Sequence, residues 1–353
     1  MRRPPADRRR LAAGRLSLMA RVRLKDVAAR AKVDPSTASR VLSGRVDLVK
    51  DETAKRVVDA SRALGYTANA VARGLRTQRT GSIGVVLPEF SNPVYAAVID
   101  GIEQRAAELG LSVVIDAMRP DKPADFARLV SENRVDGLLF SAASDRSVAL
   151  DVLEATAVPY VLVNRSVATA TASVVLDEES GVEAAIRCLV EAGHTRIAYV
   201  SGPPSIDTAR RRKAGYLKAM KTFKLPVDKR LVVRAFEPEA AQVATAGLLA
   251  VDPPPTAICV WTIKSALGVL HALHQHSVPI PEAVSVIAMP DVWLAAYCWP
   301  PLTTVDMPLG VMGGRAVDLL AAMVAGERPE RVVVTYPRPS VVMRSSVGPV
   351  SAP

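Results

Sequence analysis

From Ser82 to Met289 the chain repeats one pattern: a short, β-rich apolar run followed by a stretch with apolar residues at helical spacing. The runs are SIGVVLPEF, LSVVIDAM, DGLLFSA, YVLVNR, SVVLD, RIAYVSG, AICVWT and VSVIAM. A strand that is apolar on both faces must be covered on both faces, and a parallel sheet between helix layers does this. So many units predict an α/β chain with two doubly wound lobes rather than one. In such sheets ligands bind beyond the carboxyl ends of the strands. No G-x-G-x-x-G follows a strand, no Walker-type lysine loop is present, and no nucleophile–base pair emerges. The expectation is a chain that is not an enzyme and uses no cofactor.

The stretch ahead of the lobes, Leu24 to Leu42 (LKDVAARAKVDPSTASRVL), reads as two short helices joined by a tight turn. Val27, Ala28 and Ala31 line one face at helical spacing. Val33 is placed to plug the angle between the helices. Asp34 is the expected cap of the second helix, with Pro35 at its first position, where a missing N–H costs nothing. Ala38, Val41 and Leu42 supply the apolar face. Ser36, Thr37, Ser39 and Arg40 are left outward, three hydroxyls and a guanidinium suited to base edges and phosphates. An ordinary helical hairpin with a polar surface fits the same residues. A third helix is expected from about Glu52 to Leu64, capped by Asp51 because Lys50 cannot cap it. It would pack Ala54, Val57, Val58 and Ser61 toward the first two.

Charge separates those readings. Residues 1–80 hold 20 Lys and Arg against 7 Asp and Glu, a net of +13, whereas the rest of the chain holds 25 against 28, a net of −3. The basic excess is confined to the segment with the helix pair, as a polyanion-binding head requires and a merely soluble surface does not. Residues 1–20 carry six arginines and no long apolar core. They read as a disordered basic extension, not a secretory signal. This is either an arm that adds phosphate contacts or a dispensable extension ahead of Met19, and we favour the second. No apolar run is long enough to span a bilayer, so no membrane partner is expected. Three widely spaced cysteines, Cys188, Cys259 and Cys298, build no disulfide framework and suit a reducing cytoplasm.

In order along the chain, LKDVAARAKVDPSTASRVLSG, LGYTANAVARGLR, IGVVLPEFSNPVY, EAGHTRIAYVSGP, ARRRKAGY, PPLTTVDMP and PRPSVVMRSS closely resemble the LacI/GalR family of bacterial transcriptional regulators. The likeness runs from about Leu24 to Ser346. It implies an N-terminal helix-turn-helix head plus a two-lobed, doubly wound core like that of periplasmic binding proteins. The implied boundaries are an extension at 1–20, the DNA-binding domain at 21–68, a hinge helix and linker at 69–80, the effector-binding and dimerisation core at 81–346, and a disordered tail at 347–353. The chain would cross between lobes near Asp177, Pro308 and Pro337. The resemblance further implies a homodimer on a palindromic operator in double-stranded DNA, with Pro35 and Ser36 at positions that most often choose the base sequence. In the hinge, Asn69, Arg73 and Leu75 would meet DNA, with Leu75 wedged into the minor groove to bend the duplex. The alternative is a polar linker with Leu75 packed on the core. Gly74 weakens an isolated helix by about 1 kcal/mol relative to alanine, which suits a segment that folds on binding.

In the interlobe cleft the resemblance carries effector contacts onto Val94, Tyr95, Asn164, Asp177, Arg212, Trp261, Thr262 and Asp291. Asn164 stands where relatives often have aspartate. Arg212 sits among Arg210, Arg211 and Lys213, so a solvated basic helix face competes with a fork onto ligand. Thr262 and Ile263 replace the family's Asn-Asp pair, and Pro290 replaces the first aspartate before Asp291. Polyol specificity requires a buried polar partner for each hydroxyl, and much of that equipment is missing. The expected effector is therefore not a typical free hexose but an anionic or more apolar small molecule held by Arg212 against Trp261. A weak or absent effector response is the competing reading.

His271, His274 and His276 have no carboxylate or cysteine at ligand spacing, so they read as solvated side chains and no metal is expected. The tail VGPVSAP has no leucine heptad and gives no basis for a coiled-coil tetramer. Three functions compete: a ligand-modulated DNA-binding regulator, most simply a repressor; a two-lobed solute receptor; and an enzyme on the same architecture. The basic helical head favours the first.

Overall fold

The computed structural model describes residues 22–43, 49–66, 79–119, 122, 124–142, 148–156 and 158–350. The chain divides into two compact units, Met1–Gln78 and Arg79–Pro353. The basic extension 1–20 and the hinge residues Asn69, Arg73 and Leu75 lie outside the described residues.

In the first unit, helices α1 (Leu24–Ala31), α2 (Pro35–Leu42) and α3 (Asp51–Leu64) surround a small core. Val27, Ala28, Ala31, Ala38, Val41, Val57 and Ala60 are buried there, with Val33 partly buried against them. The start of α1 is tied by the Arg23 N–H, which donates to Asp26 at 2.8 Å. Its end is the sharp turn itself: Lys32 adopts the left-handed conformation (φ 53°) and its N–H returns to Ala28 and Ala29. At α2 the Asp34 carboxylate accepts the Ser36 N–H at 2.8 Å, and Pro35 stands at the first turn as expected. Hydrogen bonding to Ser36 lowers the Asp34 pKa. Helix α3 departs from expectation in two details. Lys50 is the N-cap without any side-chain bond, and Asp51 is already helical. Ala60, three residues beyond Val57 and hence on its face, is the buried residue, while Ser61 is only half-buried.

Among the described residues the second unit holds two six-stranded sheets. The first contains β1 (Ser82–Leu87), β2 (Ser112–Ala117), β3 (Gly137–Phe140), β4 (Tyr160–Val163), β5 (Ser173–Leu176) and β11 (Arg331–Val334), in the order β11-β5-β4-β3-β1-β2. The second contains β6 (Ile197–Ser201), β7 (Val232–Arg234), β8 (Ala257–Val260), β9 (Ser285–Ala288), β10 (Thr303–Asp306) and β12 (Ser340–Val342), in the order β12-β10-β9-β8-β6-β7. All pairings are parallel except β10 with β12. The eight expected runs are β1–β6, β8 and β9; of the other four strands, β7 and β12 have three residues each, and β7, β11 and β12 sit at sheet edges. Strand order reverses between β1 and β3 and again between β6 and β8, which opens a crevice at each point.

Eight helices fill in around these sheets among the described residues: α4 (Val94–Glu108), α5 (Ala127–Ser131), α6 (Val148–Glu154), α7 (Glu178–Glu191), α8 (Asp207–Thr222), α9 (Pro238–Leu249), α10 (Ile263–Gln275) and α11 (Leu309–Val324). Helices α4 and α11 cross backbone to backbone. A Cβ on Gly101 would lie 2.0 Å from the Gly310 carbonyl oxygen, so only glycine permits that approach. The chain passes from the first lobe to the second after β5, back after β10, and across again between β11 and β12. These are the crossings expected near Asp177, Pro308 and Pro337.

The end of the chain corrects the expectation of a disordered tail from residue 347. Val347 is buried, the Val350 N–H donates to the Ala192 carbonyl at 2.9 Å, and the Gly348 N–H donates to Ser285 Oγ at 3.1 Å. The buried His194 ring lies 3.1 Å from the Gly348 carbonyl, 2.9 Å from Ser285 Oγ and 3.0 Å from Thr256 Oγ1. Short-range composition misses this docking because the partners come from residues some 60 to 150 positions earlier. No described helix is long and apolar enough to cross a membrane.

Candidate functional site

Two surfaces carry the residues singled out in the sequence, one on each unit. On the first unit, α2 buries Ala38 and Val41 and turns its other side outward: Pro35, Ser36 and Arg40 are exposed, Thr37 and Ser39 half-buried. Ser43 Oγ donates to the Ser39 and Arg40 carbonyls at 2.6 and 3.1 Å, which closes the helix end. The result is a short helix, capped at both ends, that presents hydroxyls and a guanidinium, with no acidic side chain in its first turn.

On the second unit a cavity of about 300 Å³ lies between the lobes. Its lining follows the rule for open sheets, since most of the wall residues stand just past a strand end. Pro88 and Glu89 follow β1, Met118 follows β2, Ser141 and Ala142 follow β3, and Asn164 and Arg165 follow β4. From the second lobe come Phe236 after β7, Trp261 and Thr262 after β8, and Pro290 past β9. Val94 and Tyr95 open α4, and Thr208 and Arg212 come from α8.

Six of the eight expected effector contacts are brought together here: Val94, Tyr95, Asn164, Arg212, Trp261 and Thr262. Two are not. Asp177 caps α7, accepting the Ser180 N–H at 3.1 Å and its hydroxyl at 2.6 Å, and it lines a separate polar recess with Glu183 and Lys218. Asp291 turns away to Arg344 at 2.8 Å and accepts the Thr304 hydroxyl. Each carboxylate has found a fixed partner on its own lobe.

Arg212 lines the cavity as the ligand reading expects, but it is also tied into its own lobe. It is only 3% exposed, so it is not a solvated helix face. Nor is its charge free for a ligand. Nε donates to the fully buried Glu178 at 2.6 Å, and Nη1 donates to the Trp261 carbonyl at 2.5 Å and to the Met289 carbonyl at 3.5 Å. Arg212 therefore knits α7, β8 and β9 together. Trp261 is held just as firmly: its indole N–H is shared between the Ala235 carbonyl (3.0 Å) and Ser265 Oγ (3.1 Å), and its ring leans on Phe236 at 5.6 Å. Gly202 leaves room for that ring, because a Cβ there would meet it at 2.5 Å.

Sequence reasoning overlooked Arg165, although it adjoins Asn164 at the end of the YVLVNR run. Its Nη1 donates to the Asn164 carbonyl and to Thr208 Oγ1, both at 2.8 Å, and its Nη2 reaches the Tyr95 hydroxyl at 3.3 Å. Burial raises the Tyr95 pKa, and the Arg165 charge offsets part of that rise. Asn164 sits in the left-handed conformation (φ 58°), which asparagine tolerates well. Its buried Oδ1 has no hydrogen-bond partner among the described residues.

The lobes are joined across the cleft. Lys264 Nζ reaches Glu89 on the first lobe at 3.0 Å and Glu237 on its own lobe at 2.9 Å, and lies 5.0 Å over the Phe236 ring. Burial works against the Lys264 ammonium, but the Glu237 and Glu89 hydrogen bonds outweigh it and the pKa is raised. On the other side the Ser166 N–H donates to Asp207 at 3.0 Å and Thr208 Oγ1 donates to the Asn164 carbonyl at 2.8 Å. His271, His274 and His276 are exposed, and no cluster of three metal-ligating side chains occurs among the described residues.

Comparison with known proteins fits both surfaces. The model for bacterial regulatory proteins of the lacI family matches residues 23–69, and that for a periplasmic binding protein-like domain matches residues 186–347. The HTH-type transcriptional repressor PurR of Vibrio cholerae serotype O1 (strain M66-2) is 32% identical over 329 residues, covering 92% of this chain and 97% of the relative. Catabolite control protein A of Priestia megaterium is 32% identical over 322 residues, covering 90% and 96%. The lac repressor dimer bound to operator and the anti-inducer ONPF superposes with a TM-score of 0.76 at 27% identity, covering 93% of this chain and 99% of that one.

Proposed function

This chain belongs to the lacI family of bacterial regulatory proteins, and from that premise we propose a DNA-binding transcriptional repressor that reads a palindromic operator as a homodimer and answers to a small molecule held between its lobes. The observation that carries the reading is the outer side of α2, where Pro35, Ser36 and Arg40 stand exposed in the segment that holds the whole basic excess. A solute receptor with the same two lobes has no use for such a head.

Recognition helices of this kind enter the major groove, where Arg40 and the Ser36, Thr37 and Ser39 hydroxyls meet base edges and phosphates. Proline donates no hydrogen bond, so readout at Pro35 rests on shape and apolar contact. Asn69, Arg73 and Leu75 belong to the proposed hinge, with Leu75 as the minor-groove wedge. Dimerisation is assigned to the core, which carries a surface suited to it: Trp293, Tyr297 and Trp299 are 68%, 80% and 87% exposed within one short segment. Aromatic anchors so grouped are typical of the centre of an interface. Effector binding would act through closure of the two lobes, coupling the cleft to the hinge through one bistable element. A cytoplasmic setting follows from that role.

Footprinting of the purified protein on its own genomic DNA at near-physiological salt tests the reading. Protection of a few palindromes centred on a flexible pyrimidine–purine step is expected. Diffuse retention that vanishes with added salt would reduce the interaction to phosphate contacts and refute sequence-specific regulation.

A further inference from the structure

Among the described residues three side chains with formal charge line the cleft, Glu89, Arg165 and Arg212, and two of them are already neutralised. Lys264 Nζ donates to both Glu89 oxygens, at 3.0 and 3.1 Å. Arg212 is matched by Glu178 inside the second lobe. Arg165 has no carboxylate partner among the described residues; the Asn164 carbonyl, Thr208 Oγ1 and the Tyr95 hydroxyl are neutral acceptors. Such contacts aim a guanidinium without cancelling its charge. The residue beside it provides the second observation. Asn164 is 94% buried by its 6% exposure, lines the same cavity, and leaves its Oδ1 without a donor among the described residues. Helix α10 adds a third: it begins at Thr262 on the cavity wall with no side-chain cap, so its N-terminal field also favours an anion.

We propose that the effector is a small organic monoanion, a carboxylate that also carries a hydroxyl or N–H donor on an apolar body, and that Arg165 rather than Arg212 anchors its charge. The carboxylate pairs with Arg165, the donor meets Asn164 Oδ1, and the body lies against Phe236 and Trp261. A cavity of about 300 Å³ is at the small end of ligand sites and suits a single-ring molecule. A neutral sugar would close the cleft over a guanidinium that has no counter-charge among the described residues, which is costly. This assignment rests on the reading of the cleft as the effector site.

The test is calorimetry on the full-length protein with matched acid and amide probes: 4-hydroxybenzoate against 4-hydroxybenzamide, 4-hydroxyphenylacetate against its amide, and D-glucose as the neutral polyol. At least one acid is expected to bind, with its amide on the order of 10- to 100-fold weaker, the value of one charge-assisted contact. Arg165→Met should lose a similar factor, whereas Arg165→Lys, which keeps the charge but not the fork, should lose less. Urea midpoints matching the parent would show that both variants are folded. An amide that binds as well as its acid, or an acid indifferent to Arg165→Met, overturns the proposal. Binding of D-glucose alone refutes the anion but leaves the cleft as the effector site. If no probe binds to a protein that still protects a palindrome, the proposal falls together with the cleft reading, and the DNA reading stands.

Discussion

Removing one member of the Glu178–Arg212 pair should damage the core far more than removing both. The two side chains are 0% and 4% exposed and 2.6 Å apart, so each is the other's only counter-charge among the described residues. Loss of one partner from a buried pair costs about 3–5 kcal/mol, because a desolvated charge is left behind. Glu178→Met and Arg212→Met together should thus sum to about 6–10 kcal/mol if they acted independently. In the double variant no charge remains. What is lost is the donor to the Trp261 carbonyl at 2.5 Å and to the Met289 carbonyl at 3.5 Å, the second of these at the limit of a hydrogen bond. That leaves about 1–3 kcal/mol, so the coupling energy should be at least about 3 kcal/mol. Urea unfolding followed by tryptophan fluorescence measures it, since Trp261, Trp293 and Trp299 all lie in the second unit and the first is silent. Urea is preferred to guanidinium chloride, which adds ionic strength. A single variant that fails to fold while the double variant folds is the same result at its extreme. Losses that add to within about 0.5 kcal/mol would refute the claim that Arg212 is spent on Glu178, and with it the reason for moving the effector's anchor to Arg165.

Three further outcomes follow from the same geometry. Arg40→Ala should weaken operator binding by about 10-fold or more; a uniform loss with a shallower salt slope in filter binding marks a phosphate contact, and relaxed preference at one base pair marks a base contact. Trp299→Glu should shift sedimentation from dimer toward monomer while leaving the urea midpoint little changed, since the ring is 87% exposed; an unaltered dimer would exclude this face. His194 gives the core a pH dependence. Burial holds its pKa below the usual 6.5 despite the Gly348 carbonyl, so the unfolded chain takes up the proton first. That contribution to stability is complete above about pH 6.5 and is lost as pH falls through the lower folded value. Melting curves of His194→Gln should lack this acid-side decline, and a slope identical to the parent's would refute the assignment.

What the sequence determined by itself is whatever depends on neighbours a few residues apart. Helical spacing of Val27, Ala28 and Ala31, the Asp34-Pro35 start of α2 and the apolar strand runs each act within one turn or one strand. The backbone preference is local, so the pattern is legible without knowing the fold. Charge confinement to residues 1–80 is likewise a property of the chain alone. The short edge strands β7 and β12 were not legible, because three residues carry too little pattern to outweigh a turn.

Tertiary structure decided which groups in the cleft are available. Arg212, Asp177 and Asp291 all stand at positions that a motif marks for ligand, yet Glu178 neutralises Arg212 on the cavity wall, while Ser180 and Arg344 hold Asp177 and Asp291 outside the cavity lining. Arg165 keeps its charge because the atoms that meet it, from residues 95, 164 and 208, happen to be neutral. Residues 347–350 are docked for the same kind of reason, through His194 and Ser285. Electrostatic pairing is settled by whichever groups the packed chain brings within a few ångströms, and those come from sequence positions too distant for any local pattern to connect.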